Sequence, residues 1–154
     1  MTEQAELIAC YELTQAKAKY CRTLDTQDWN GLAALMTEDI EFGMGDGHSE
    51  PQMTVGRDET VALLQSLVAG SKTAHQVHTP EIDLNEDEAQ VIWAMQDRAV
   101  FDDGMSVTGY GHYTERWVRH GDVWKLASLR LSHLITDVHQ AGAGAHIANE
   151  GGGR

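Results

Sequence analysis

From Glu3 to Leu24 the polar and apolar positions follow a helical period, built from Ala, Glu, Gln, Lys and Leu with neither Gly nor Pro. At 3.6 residues per turn, Leu7, Tyr11, Thr14, Ala18, Cys21 and Asp25 fall on one stripe, which reads as the core-facing one and ends on a carboxylate. Residues 25–28 break the pattern, and Asp28 is placed to cap a short second helix carrying Trp29, Leu32, Leu35 and Met36. TEDIEFG reads as a brief strand through Ile40 and Phe42. The run Gly43–Gln52, GMGDGHSEPQ, is turn-rich and is expected to form a flap at a pocket mouth. A third helix opens at Gly56, Arg57 and Asp58, with Val61, Leu64, Leu67 and Val68 as its apolar side.

After Ser71 the pattern becomes β-type. Long segments at Thr73–Leu84, Ala89–Phe101, Ser106–Arg119 and Val123–Ile135 are separated by the turn clusters NEDE, DDG and HGD. Such short connections between long strands predict antiparallel hairpins. Helices first and a strand meander last define an α+β fold, with three N-terminal helices on one face of a curved, mostly antiparallel sheet. One domain is expected over residues 1–140. The stretch 141–154, AGAGAHIANEGGGR, reads as a loose Gly/Ala-rich tail.

Composition narrows the class. A chain of 154 residues with 42% hydrophobic positions suits one globular domain with a real core. No apolar run approaches the roughly 20 residues of a membrane span, and MTEQAELIAC lacks the features of a secretion signal, so none is expected. The net charge of −13, from 24 acidic against 11 basic residues, argues against nucleic acid and anionic membrane as partners. Cys10 and Cys21 would lie about 16 Å apart along one helix, too far for a disulfide. Free thiols and a cytoplasmic location are therefore expected.

The chemistry starts at Asp25. An acid on a core-facing stripe costs stability unless something inside compensates it, and that cost points to a chemical role. His75 and His78 stand three apart, so in a regular strand they face opposite ways. His78 is expected to be structural or interfacial. Asp97 and Arg98, on adjacent strand positions, also diverge. Tyr113 alternates with Gly111 and Gly109, small residues that would leave cavity space on their face. Trp29, Phe42, Trp93, Met95, Val107 and Leu129 could wall an apolar pocket. Simple alternation puts Arg130 opposite Leu129, outside such a pocket unless a bulge intervenes.

Six motifs then carry a resemblance: Y…LD..DW..L from Tyr20 to Leu32, TEDIEF at Thr37–Phe42, GRDE at Gly56–Glu59, TAHQVHTPEIDL at Thr73–Leu84, GYGHYTERW at Gly109–Trp117 and GDVWKL at Gly121–Leu126. The chain resembles the SnoaL-like members of the nuclear transport factor two-like superfamily, and among them the scytalone dehydratase-like group, over roughly Glu6 to Leu134. The resemblance implies a cone-shaped α+β domain enclosing an apolar cavity. It also implies an aspartate–histidine pair, which here falls on Asp25 and His75. By analogy with a bile-acid dehydratase of the group, Tyr20 would be a third catalytic member. Two family features are missing: Phe42 stands where scytalone dehydratase has a tyrosine, and Ala89–Phe101 contains no second histidine.

For an elimination or enolisation, neutral imidazole suits removal of a carbon-bound proton because its reference pKa is about 6.5. A carboxylate beside one ring nitrogen fixes the tautomer and stabilises the imidazolium that forms. The leading expectation is a cofactor-independent lyase, a dehydratase or related elimination enzyme, acting on a small, mostly apolar and cyclic molecule. His75 would be the base, Asp25 would orient it, and Tyr20 or Tyr113 would donate to a substrate oxygen. The alternatives are a ketosteroid-isomerase-like isomerase or polyketide cyclase working through an enol, and a non-catalytic binding or assembly domain. The open sheet face is expected to pair copies into a homodimer or homotrimer, with His112, Trp117 and Trp124 as candidate contacts. No cofactor and no metal are expected, because no phosphate-cradling Gly-rich loop or metal cluster is present in the sequence.

Overall fold

The computed structural model describes residues 1–141; the expected tail, apart from Ala141, lies outside the described residues. Helix α1 (Glu3–Asp25) begins at Thr2, whose hydroxyl accepts from the Ala5 N–H at 3.2 Å. It buries Ala9, Leu13, Lys17, Tyr20, Cys21 and Leu24. Leu7 and Tyr11 are 67% and 64% exposed, which corrects the stripe read from the sequence by about a third of a turn. The stripe that wins contains a lysine, which made it look polar. The sheet decides the matter by placing Glu115 to receive Lys17 and Tyr113 to pack edge-on against Tyr20.

Asp28 caps α2 (Trp29–Ala33) as expected, accepting from Gly31 N–H at 3.0 Å. Strand β1 (Met36–Gly45) is longer than TEDIEFG suggested and runs into the expected flap. The chain returns as β2 (Met53–Val55), antiparallel to β1, before α3 (Arg57–Val68). The segment Thr73–Leu84 proves to be two strands, β3 (Ser71–Val77) and β4 (Glu81–Asn85). It breaks near Pro80, which has no N–H to give a ladder. Both halves pair with β5 (Glu88–Phe101), followed by β6 (Met105–His120) and β7 (Val123–Gln140). The sheet order is β2-β1-β7-β6-β5-β3 with β4 also on β5; only the β1–β7 pairing is parallel. This is the α+β cone of the expectation. No described helix is long and apolar enough to cross a membrane.

Alternate residues of the long strands point onto the concave face. There Ala89, Val91, Trp93 and Met95 of β5 meet Tyr113, Glu115 and Trp117 of β6. On β7 the register passes from Trp117↔Leu126 to Arg116↔Ser128, leaving Ala127 unpaired. This bulge moves Leu129, Leu131 and His133 onto the same face as Leu126. Arg130 stays outside, bonded to Glu50 at 2.7 Å. Trp117 and Trp124 are buried, so they cannot be the contacts of an open sheet face.

The middle of the cone is sealed by a charged knot. Lys17 and Glu115 form an ion pair with both side chains fully buried. The indole N–H groups of Trp93 and Trp117 donate to the other Glu115 oxygen at 2.9 and 2.8 Å. The Lys17 ammonium also lies 3.5 Å from the Tyr113 ring centre and 4.2 Å from that of Tyr20. Each charge therefore has partners where water is excluded.

Candidate active site

Asp25 is the last residue of α1, at the edge of its buried face. Its carboxylate reaches β3, where Oδ1 accepts from the Thr73 hydroxyl at 2.9 Å and Oδ2 accepts from the His75 backbone N–H at 2.8 Å. Oδ1 also meets His75 Nδ1 at 2.6 Å. An ionised carboxylate only accepts, so Nδ1 carries the proton and Nε2 is the free nitrogen of the ring. The His75 and Asp25 side chains are 12% and 22% exposed respectively, shielded but reachable. Asp25 thus has the compensation that its position requires. His78, three residues along, is exposed.

His75 lines a cavity of about 210 Å³ at the open end of the cone. Met44, Leu67, Val68, Ala99, Phe101 and Val107 form its apolar wall, and Thr73, Asp97, Arg98, His133 and Thr136 supply further polar groups. Its size lies below the roughly 300–1,000 Å³ of drug-sized sites, which suits a small molecule. Larger hollows exist, one of about 540 Å³ beside Arg57, His120 and Lys125. However, the hydrogen-bonded imidazole–carboxylate pairs among the described residues are Asp25–His75 and Asp97–His133, and both histidines line the smaller cavity.

Of the expected wall residues, Val107 is in the wall. Tyr20, Tyr113, Phe42, Trp93, Met95 and Leu129 are instead buried in the core, and Trp29 packs half-buried against it. The reason is that one concave stripe serves both regions. Its half nearer Ala89 is plugged by aromatic rings and the Lys17–Glu115 pair, and the hollow lined by His75 lies toward Phe101. Burial first, and then the Glu115 charge, push the Tyr20 phenol well above its usual pKa. Tyr113 is also raised, by burial first and then by Tyr20. Both phenols stay protonated, but neither belongs to the wall.

Sequence reasoning missed His133 and gave Asp97 no partner. His133 Nε2 lies 3.0 Å from Asp97 Oδ2. A hint existed in the alternation Leu129, Leu131, His133, but the bulge that turns this set inward is not visible in the sequence. Burial disfavours the Asp97 charge; the His133 hydrogen bond, the His133 and His75 charges and the Gly109 N–H outweigh it and hold its carboxyl below the usual value. A carboxyl depressed in the folded state stabilises the fold above its unfolded pKa, about 3.9. That contribution disappears as pH falls through the lower folded value. Urea unfolding at a series of pH values should show Asp97→Asn less stable than the parent at neutral pH, with the gap closing only below about pH 4. A gap that persisted at lower pH would contradict the account.

Among the described residues, no group of three or more His, Cys, Asp or Glu side chains is disposed to hold a metal ion. A curved sheet wrapped by helices, with two imidazole–carboxylate pairs beside one cavity, defines an α+β cone domain. The chain belongs to the SnoaL-like domain family, which matches residues 5–130. It is 28% identical over 134 residues to Probable cyclase FGR4 of Gibberella zeae, covering 79% of this chain and 89% of that protein. A scytalone dehydratase-like protein of Novosphingobium aromaticivorans superposes with a TM-score of 0.81 at 22% identity, covering 92% of this chain and 94% of the other. A hexachlorocyclohexane dehydrochlorinase, LinA-type3 of Novosphingobium barchaimii, gives 0.77 at 17% identity, covering 94% and 97%. These two superpositions establish a shared fold.

Proposed function

We propose that the protein is a cofactor-independent acid–base enzyme, a lyase acting on a small, enolisable and mostly apolar molecule. The observation that carries this reading is the Asp25–His75 contact of 2.6 Å at the wall of a compact cavity. His75 Nε2 takes a proton from carbon next to a carbonyl. Asp25 holds the ring in the tautomer that leaves Nε2 free, and it stabilises the imidazolium as it forms. The dehydratase-like and dehydrochlorinase neighbours support elimination as the outcome. The cyclase relative supports a second reading, in which the same enolate attacks a carbonyl within the substrate. Mass analysis of products separates the two, since elimination releases water or halide and simple ring closure leaves the mass unchanged.

The first step is directly measurable. Exchange of the α-hydrogens of β-hydroxycyclohexanone in deuterium oxide, followed by NMR, should be catalysed by the wild type. Asp25→Asn should slow it about 10²–10⁴-fold. The asparagine amide nitrogen cannot accept from Nδ1, and one carboxylate acceptor is lost among three donors. Exchange at the wild-type rate in this variant would remove Asp25 from the mechanism.

A further inference from the structure

The cavity holds a second imidazole set against a carboxylate. Asp97 on β5 and His133 on β7 are separated by β6, and they meet because the intervening residue is Gly109. A β-carbon at Gly109 would stand 2.6 Å from His133 Nε2 and would collide outright with Asp97 Oδ1. Asp97 is also directly opposite His75 in the β3–β5 register. Cross-strand partners of this kind share a face, so His75, Asp97 and His133 line one side of the hollow.

An elimination has two proton events. Carbon gives one up, and an oxygen that leaves as water must receive one, because hydroxide departs poorly as an anion. His75 serves the first. For the second, the phenols of Tyr20 and Tyr113 lie in the core, while His133 is in the wall. We infer that His133, held by Asp97 across the gap at Gly109, is the proton donor to the departing oxygen; this rests on the reading proposed above. His75 Nε2 takes the proton from carbon, and the C–H electron pair forms the C=C bond. The C–O bond breaks, and the oxygen leaves as water with a proton from the His133 imidazolium. One imidazole gains the proton the other loses, and exchange with solvent restores both. His133 is the catalytic residue in this step, and Asp97 is a positioning residue.

The test compares loss of water from β-hydroxycyclohexanone with loss of acetate from β-acetoxycyclohexanone, since acetate leaves without needing a proton. His133→Asn should lower the ratio of kcat for water loss to kcat for acetate loss about 10²-fold, with KM little moved. Asp97→Asn and Gly109→Ala, which removes the gap, should lower the same ratio. Circular dichroism on His133→Asn, at a ring already 21% exposed, confirms that the fold persists. An unchanged ratio overturns the donor role, whether both rates hold or both fall together. A wild type that exchanges α-hydrogens but releases no water also overturns it, leaving the role of His75 standing. A wild type that does neither overturns both.

Discussion

His75→Ala should lower turnover by about three orders of magnitude or more while leaving the folded state in place. The chemical loss is large because no other wall residue has a free nitrogen held toward the cavity by Asp25. The structural loss is small for a specific reason. Without the ring, Asp25 still accepts the Thr73 hydroxyl and the backbone N–H of residue 75, so its charge is not orphaned. Turnover and thermal unfolding should therefore separate, with activity lost and the melting temperature shifted by only a few degrees. Wild-type turnover in this variant, on a substrate the parent accepts, would refute the assignment of the base.

Glu115→Ala should have the opposite profile, a collapse of stability rather than of chemistry. It would strand a buried ammonium and leave the Trp93 and Trp117 indole donors without an acceptor. Removing one partner of a buried pair costs about 3–5 kcal/mol, and each unmet donor adds about 1–3 kcal/mol. Together these are comparable with the roughly 5–15 kcal/mol that holds a whole domain together. Lys17→Met should be milder, because Glu115 keeps both indole donors and the methionine can fill the space between the Tyr20 and Tyr113 rings. Chemical denaturation should rank parent, Lys17→Met and Glu115→Ala in falling order. If the lysine variant were the weaker one, the anion would not be the centre of the network.

Much of the architecture was legible in the sequence because local rules and tertiary packing agree there. The strand-rich half announced itself through alternation and tight turns, and Asp28 announced α2 through its capping position. The readings that failed depend on long-range partners. The orientation of α1 hinges on Lys17, whose burial follows only from Glu115, 98 positions away. The inward set on β7 hinges on a bulge at Ala127 that alternation cannot foresee. Asp25 and His75 could be brought together because the family resemblance named both; the helical stripe that first singled out Asp25 is the one the structure turns outward. Asp97 and His133 had neither signal, and the enabling residue, Gly109, was read as making empty space when that space is filled by the pair.

Strand β5 carries a practical consequence for altering this protein. Along its inward rail, Val91, Trp93 and Met95 are locked into solid packing, whereas Asp97, Ala99 and Phe101 border the hollow. Diversity meant to reshape the chamber belongs on Ala99 and Phe101, with Asp97 kept for its bond to His133. The same diversity at Val91, Trp93 and Met95 would mainly return insoluble protein.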